Sequence, residues 1–352
     1  MNEVRDITGL RVAALSAVVA LLLFMSGLMV LFTPLPLVYA YVTKGRRMGV
    51  AASGMLLAAT ACLYGWLLPW LLQQPAESMA HFIALPGVGL APHLTEQGVR
   101  AFGMMYSVVF VAIAVALGEG ALRGLSVIRG AGGAVAAGFA CIVAAASVVQ
   151  LVTHGAFVAG SAQYFDSVIA DVVSFNQAAG MSGEQIAYLA QNGPQVARMV
   201  MSLMPSIVFV FVLIVVVINM LVGRRLARLP HAIARMRETV GFRLPDQGVW
   251  VVIACGILFF VNLYVVRVGW LKAIALNGLI AMAAIYFFQG FAVVSFFLER
   301  VRVKLVKLMA YVALIFFFQA VGVALVGLGF ADVWIHFRER LHKDVPRKTP
   351  VG

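Results

Sequence analysis

The chain has 352 residues, of which 63% are hydrophobic and only 11% are charged. Soluble globular domains carry about 25% charged residues, so a water-soluble fold of this composition could not cover its surface with polar groups. Lipid is therefore expected to be the solvent for much of the chain. The net charge is +12, but the basic residues form short clusters between apolar runs. That arrangement favours cytoplasmic loops and anionic lipid headgroups, and argues against nucleic acid as a partner.

Eight apolar runs are long enough to cross a bilayer, since a spanning helix needs about 20 apolar residues. In lipid, backbone polar groups must pair within the segment, which makes each run helical. The sequence predicts an all-α, polytopic integral membrane bundle of about eight transmembrane helices, forming a single transmembrane domain over 1–352. The predicted spans are 11–32, 48–72, 99–122, 131–157, 196–222, 248–266, 271–298 and 304–329.

The first run admits two interpretations. It is either one span, or a broken hairpin over 10–42 in which Ser26-Gly27, Pro34 and Pro36 divide two short helices. Proline favours a helix start and disfavours a helix interior.

Basic residues follow every second predicted span, and the intervening connections carry mostly acids. The positive-inside rule places the basic loops in the cytoplasm. With eight full spans both termini would lie outside, although the tail at 331–352 is basic. A broken first run would place the N-terminus inside, and the side of the tail stays open.

The stretch 161–192, between the fourth and fifth spans, is predicted to form an outer amphipathic segment. Its first part carries an apolar stripe at helical spacing, and Ser182-Gly-Glu-Gln185 resembles a capping box that opens a second short helix. Two such helices would lie on the outer surface or cover a cavity. The alternative is an ordered surface loop. The stripe is Phe165, Val168, Ile169 and Val172.

The basic segment 224–243 has its own apolar stripe, which predicts an interfacial helix starting near Pro230. Two interpretations stay open for it: a surface that faces lipid headgroups, or a docking surface for a cytoplasmic protein.

Motifs that carry chemistry are missing. The sequence has no Walker A, HExxH or GxSxG pattern in a plausible context, so no catalytic, metal or cofactor-binding residue is assigned and no enzyme is predicted. Cys62, Cys141 and Cys255 lie inside apolar runs without metal spacing. Glu119 is expected to form a local ion pair with Arg123.

Polar residues within apolar helices are the remaining candidates for a site, because burying them costs free energy unless they find partners. Most of them fall in the last three spans. They either join helices by hydrogen bonds worth about 0.6 kcal/mol each, or converge on a cavity that binds a small polar ligand between aromatic walls. The candidate cavity residues are Asn262, Asn277, Gln289, Gln319, Tyr264 and Trp270.

Several short stretches, in order along the chain, resemble the YybS-like family of bacterial membrane proteins, which carry a domain of unknown function. They are Thr33-Pro34-Leu35-Pro36, Leu203-Met204-Pro205-Ser206, Phe242-Arg243-Leu244-Pro245, Phe288-Gln289-Gly290 and the stretch from Gly327 to Trp334.

That family is distantly similar to the substrate-binding S components of energy-coupling-factor transporters. The resemblance implies a bacterial inner membrane, a small-molecule ligand and a separate energising protein partner. It carries over no ligand residue, because this chain is longer and has a sizeable outer segment.

Two functions follow as hypotheses. The first is a small-molecule-binding or transport subunit, which the intramembrane amides favour. The second is a non-enzymatic membrane scaffold, or envelope-biogenesis factor, that binds a cytoplasmic partner through the basic loops. A membrane-embedded enzyme acting on lipid is disfavoured, because the sequence lacks clusters of acids, histidines or metal ligands.

Overall fold

The structure is a computed structural model, and it describes residues 2–73, 96–152, 154, 156–226, 245–301, 303–316 and 318–335. It divides the chain into two compact units, unit 1 (Met1–Arg237) and unit 2 (Glu238–Gly352). Each unit is described by itself. The predicted all-α membrane fold is confirmed, whereas the single domain over 1–352 stays a prediction.

Unit 1 contains eight α-helices within its described ranges. A 3-10 helix, Leu28–Phe32, precedes the second of them, and a π-helical turn, Leu63–Leu67, joins the third to the fourth. The helices are α1 (Asn2–Met25), α2 (Pro34–Lys44), α3 (Arg46–Cys62), α4 (Leu68–Leu72), α5 (Glu96–Leu122), α6 (Val127–Val152), α7 (Ala156–Ala178) and α8 (Gly183–Leu226).

Unit 2 contains four described helices, and a π-helical turn, Asn262–Val266, extends the first of them. The helices are α9 (Gly248–Val261), α10 (Gly269–Arg300), α11 (Lys304–Phe316) and α12 (Phe318–Ile335). The predicted span 304–329 covers α11 and most of α12, which lie on either side of residue 317, outside the described residues.

Seven of the described helices are long and apolar enough to cross a membrane. Two shorter apolar helices, Met29–Lys44 and Gln319–Ile335, add to them, which agrees with the predicted count of about eight. Large apolar side chains such as Leu15, Leu22 and Ile257 stay exposed on these helices. In water that surface would be unfavourable, and in a membrane it contacts lipid.

The stretch 10–42 is the broken hairpin. Helix α1 ends at Met25, Gly27 takes a positive φ of 65°, and α2 begins with Pro34 at its first position. The Ser26 hydroxyl accepts a hydrogen bond from the Met29 amide at 3.0 Å, within the first turn of the 3-10 helix. The break lets α1 and α2 pack against each other, and both pack against α3. The three helices therefore form one compact group.

The capping box at Ser182 is confirmed. The Gln185 amide donates to the Ser182 hydroxyl, and the Ser182 amide donates to the Gln185 side chain, both at 3.4 Å. The short helix predicted to follow it is wrong, however, because α8 continues for 44 residues through the span 196–222. Pro194 and Pro205 lie within α8 without ending it.

Part of the predicted apolar stripe of α7 packs against this long helix, whereas Val172 of the same stripe is exposed. Ile169 lies so close to Gly193 that a Cβ there would overlap its side chain, while Asp166 and Asp171 are exposed. Helices α7 and α8 therefore form an antiparallel pair joined by a short turn at Gly180. The outer position of this pair stays a prediction.

In the core of unit 1, α1, α2, α3 and α5 pack together around two buried tyrosines. The ring of Tyr41 fills the space over Gly49 and Gly118, and the ring of Tyr64 lies over Gly103. Glycine at these positions leaves room for a ring where a Cβ would overlap it. The helices are thereby held together by aromatic rings set against glycine surfaces.

Unit 2 is built on the contact between α10 and α12, with α9 packed on α10. Val249, Met282, Tyr286 and Val333 form its buried apolar cluster. Most of the basic segment 224–243 lies outside the described residues, as does the tail beyond residue 335. The tail predicted at 331–352 begins within α12, so its first five residues are helical.

Candidate functional site

The six predicted cavity residues lie in different surroundings. Asn262 is buried, and its side-chain amide donates to the Val268 carbonyl at 2.6 Å. The Asn277 amide donates to the Ala273 carbonyl one turn back on the same helix at 2.8 Å. Gln289 is completely buried, and Gln319 is exposed. Asn262 thus fixes the turn between α9 and α10, where Arg267 adopts a left-handed conformation with φ of 49°.

The two predicted aromatic walls are exposed. Tyr264 is 76% exposed and Trp270 is 66% exposed, and both flank the turn between α9 and α10. Trp250, at the other end of α9, is exposed as well. Exposed tyrosine and tryptophan near the ends of spanning helices are typical of the membrane–water interface.

The three candidate residues on α10, Trp270, Asn277 and Gln289, lie far apart along the helix. Trp270 and Gln289 are nineteen positions apart on this unbroken helix, which corresponds to about 28 Å at 1.5 Å per residue. One small ligand cannot touch both ends of that distance. The ligand cavity stays a prediction. Of these two residues only Gln289 is buried, so a polar site is described around it.

A buried hydrogen bond joins Gln289 to a carboxylate on α12. The Gln289 Nε2 donates to Asp332 Oδ2 at 3.3 Å, and the two residues are 0% and 2% exposed. A buried ionisable residue in an apolar helix is costly and is by default a candidate functional residue. We call Tyr286, Gln289 and Asp332 the α10–α12 polar site.

Two facing stripes at helical spacing form this site. Around the site the buried positions on α10 include Tyr286, Gln289, Gly290 and Val293, and those on α12 are Leu325, Gly329, Asp332 and Val333. The residues of each set are separated by one, three, four or seven to eight positions, so each set occupies one face of its helix.

Glycine lets the two backbones touch beside the polar pair. A Cβ on Gly290 would overlap the Leu325 carbonyl oxygen, and a Cβ on Gly329 would overlap the Tyr286 carbonyl oxygen. Close approach through small residues is common in membrane helix pairs, where Cα–H groups can contact facing carbonyls.

Two polar atoms of the site are buried without a hydrogen-bond partner, the Gln289 Oε1 and the Tyr286 hydroxyl. Tyr286 packs edge-to-face against Phe330, with ring centroids 5.3 Å apart, and its hydroxyl lies next to Gly248. A buried acceptor or donor without a partner costs about 1–3 kcal/mol. The site therefore holds hydrogen-bonding capacity that the described side chains do not use.

Asp332 was not predicted as a site residue, because it falls within the basic tail predicted at 331–352. The signal that could have found it is the spacing from Leu325 and Gly329 to Asp332, which continues the apolar face of the last helix. Gln289 was identified from its position within an apolar run, and Asp332 is its partner across the crossing.

Polar pairs in unit 1 have local structural explanations. Glu119 pairs with Arg123 at 3.4 Å, as predicted, and also with Arg46 at 2.7 Å, which was not predicted. The Asn219 amide donates to the Leu31 carbonyl at 2.6 Å, and so supplies a donor to a backbone carbonyl of the 3-10 helix between α1 and α2.

Two surface pockets in the described part of the chain do not involve the predicted cavity residues. One is a groove over Met181, Glu184, Gln185 and Tyr188, and the other lies at the turn between α5 and α6. Within the same residues, no group of three or more His, Cys, Asp or Glu side chains is placed to hold a metal ion.

Comparison with known proteins identifies a family. A family described as "Predicted membrane protein (DUF2232)" matches residues 98–333, which is more than half of the chain. The chain belongs to this family. The match runs from α5 to α12, so the DUF2232 region includes both Gln289 and Asp332 but not the α1–α2 hairpin. No curated protein and no solved structure matches the chain.

Proposed function

We propose that this multi-pass DUF2232 protein is a membrane subunit that binds a small polar solute and takes part in its transport, without an enzymatic activity of its own. The observation that carries the proposal is the α10–α12 polar site, in which Gln289 Oε1 and the Tyr286 hydroxyl are buried without partners beside Asp332. Polar groups kept inside apolar helices mark solute or ion pathways in membrane proteins.

The resemblance to YybS-like proteins, and through them to the S components of energy-coupling-factor transporters, supports the same proposal. S components bind a small molecule and dock onto a separate energising module. By this analogy the chain lies in a bacterial inner membrane and needs a protein partner that supplies energy. The sequence has no nucleotide-binding motif, which agrees with energy being supplied by a separate protein.

Co-purification tests the proposal. The full chain is purified in detergent, and extracted small molecules are identified by mass spectrometry. A polar solute should accompany the wild-type protein and be lost from Gln289→Leu, because removing a buried hydrogen-bonding partner costs about 1–3 kcal/mol, or roughly tenfold or more in affinity.

Gln177→Leu is the matched control, since Gln177 is exposed on α7 and should leave the solute in place. Adding the identified solute to stripped protein should also raise its unfolding temperature, as binding to the folded state requires. If the wild-type protein carries no solute beyond the amount found with Gln289→Leu, the transport proposal is wrong.

One observation favours the scaffold alternative. Helix α8 is 44 residues long, or about 66 Å, whereas the hydrocarbon core measures about 30 Å. Part of the α7–α8 pair therefore extends beyond the hydrocarbon core, and it exposes Phe175 (73%) and Tyr188 (68%). A protein partner captured by the full chain, lost with Phe175→Ser and Tyr188→Ser but kept with Gln289→Leu, would favour the scaffold.

A further inference from the structure

We propose that the α2–α3 turn and the α5–α6 turn of unit 1 together bind the headgroup of an anionic phospholipid. The two turns carry five basic residues, which we call the basic surface. They are Lys44, Arg46, Arg47, Arg123 and Arg129. This inference goes beyond the proposed solute binding, because it assigns a lipid partner to residues that the α10–α12 polar site does not include.

One carboxylate joins the two turns. Glu119, in the last turn of α5, pairs with Arg46 at the start of α3 at 2.7 Å and with Arg123 at 3.4 Å. The start of α6 lies against the end of α5, because a Cβ on Gly120 would be only 3.4 Å from the Gly130 Cα. The two basic turns are far apart in the sequence, and these contacts bring them side by side.

The basic surface carries more positive charge than Glu119 neutralises. All five basic side chains are exposed, and against one carboxylate they leave a net charge of +4. Lys44, Arg47 and Arg129 form no ion pair with any described residue. Like charges held next to one another attract an anion, and arginine can bind a phosphate through two parallel hydrogen bonds.

Two helices begin at the same surface and add to its attraction for anions. Helix α3 begins at Arg46 and α6 at Val127, and neither has an acidic residue in its first turn. The first N–H groups of a helix have no partner within the helix and form the positive end of its dipole. An anion held by the basic side chains is therefore also stabilised by these helix ends.

Apolar groups beside the basic residues favour a phospholipid over a free phosphate or an acidic protein. Leu122 is 38% exposed and Leu125 is 44% exposed. Next to Leu125 is the pocket between α5 and α6, whose lining is mostly glycine and apolar side chains, among them Ala121 and Val127. Both helices are long and apolar enough to cross a membrane, so their turn lies at the level of the headgroups. A phospholipid presents a phosphate to the arginines and apolar groups to this pocket.

Native mass spectrometry of the full chain tests the proposal. The protein is reconstituted in vesicles that contain equal amounts of phosphatidylcholine and phosphatidylglycerol, released in mild detergent, and its bound lipids are counted. The wild-type protein should retain the anionic phosphatidylglycerol in preference to phosphatidylcholine. Its affinity for phosphatidylglycerol, measured by titration, should fall as the salt concentration rises, because exposed charges are screened.

A double variant, Arg47→Gln with Arg129→Gln, locates the site. It should weaken the binding of phosphatidylglycerol roughly thirtyfold, or about 2 kcal/mol, since each basic residue near an anionic membrane surface contributes about 1 kcal/mol. Neither arginine pairs with Glu119, so the two turns stay joined. The unfolding temperature of this variant in phosphatidylcholine alone should therefore equal that of the wild type.

The matched control is Arg198→Gln with Lys272→Gln, which removes the same charge from exposed positions outside the two turns. It should keep the wild-type affinity for phosphatidylglycerol. An equal loss of affinity in this control would overturn the proposal, because overall charge would then determine binding. Equal retention of the two lipids by the wild type would also overturn it.

Two further results would replace the lipid by another partner. If inorganic phosphate displaced phosphatidylglycerol from the wild type as effectively as added phosphatidylglycerol does, the basic surface would bind phosphate without need of a lipid. If the wild type showed no lipid preference but bound an acidic protein that the Arg47→Gln and Arg129→Gln variant lost, the partner would be a protein. Either result contradicts a phospholipid site.

Discussion

The two units use glycine in different ways to bring membrane helices together. In unit 1, Gly49 and Gly118 form flat surfaces that receive the ring of Tyr41. In unit 2, Gly290 and Gly329 instead let the backbones of α10 and α12 touch, with no side chain between them. The first contact joins a glycine to a side chain, and the second joins a glycine to a carbonyl.

Both units bury polar groups beside these contacts, but they arrange them differently. In unit 1 an aromatic ring fills the space between helices, the Asn219 amide donates to the Leu31 carbonyl, and the Tyr41 hydroxyl and Asn219 Oδ1 are buried without a partner. Direct backbone contact leaves room beside the crossing for one facing pair of side chains. In unit 2 that pair is Gln289 and Asp332, so the tight crossing and the polar site form together.

The largest expected effect comes from Gly290→Ala. Its Cβ would overlap the Leu325 carbonyl and approach the Gly329 amide, and because both belong to the backbone, the helices must separate. We expect a destabilisation of about 3 kcal/mol, measured by unfolding in mixed detergent micelles.

Gly327→Ala, on the facing helix α12, is the control for this variant, since nothing lies within 4 Å of its Cβ position. Alanine there should be neutral or stabilising by up to about 1 kcal/mol. Equal effects at Gly290 and Gly327 would contradict the backbone crossing.

The second-largest expected effect is at the contact between glycine and an aromatic ring in unit 1. Gly49→Ala should destabilise the chain by about 2 kcal/mol, because the new Cβ overlaps the Tyr41 ring. Since the obstacle is a side chain, Tyr41→Leu should relieve part of it, and a double-mutant cycle should give a coupling of about 1 kcal/mol.

Gly54→Ala, on the same helix with nothing near its Cβ position, serves as the control and should not couple to Tyr41→Leu. If Tyr41→Leu did not reduce the destabilisation caused by Gly49→Ala, the obstacle at Gly49 would not be the Tyr41 ring, and the contrast with the backbone contact in unit 2 would be wrong.

The smallest effect concerns a polar contact within the apolar packing of unit 1. The hydroxyls of Thr60 and Ser107 lie 3.2 Å apart across α3 and α5, and each also donates to a carbonyl of its own helix. Thr60→Val and Ser107→Ala should therefore couple by only about 0.6 kcal/mol in a double-mutant cycle. A coupling above about 2 kcal/mol would contradict this expectation.

Features set by neighbours in the chain could be predicted from sequence. The break at Ser26-Gly27 and Pro34, the capping box of Ser182 and Gln185, and the ion pair of Glu119 with Arg123 each involve residues a few positions apart. Local geometry alone determines such contacts. The end of the helix opened by Ser182 was not predicted, because the tertiary packing of α8 carries it through Pro194 and Pro205.

Composition and apolar run length by themselves determined that this chain is a multi-pass helical membrane protein, because lipid requires about 20 apolar residues for each helical crossing. They also marked Gln289 as a polar residue in an apolar helix. Only the tertiary structure decided that its partner is Asp332, 43 positions away. The physical reason is that helix periodicity shows which residues share a face, whereas the pairing of two faces depends on how closely Gly290 and Gly329 let the backbones approach.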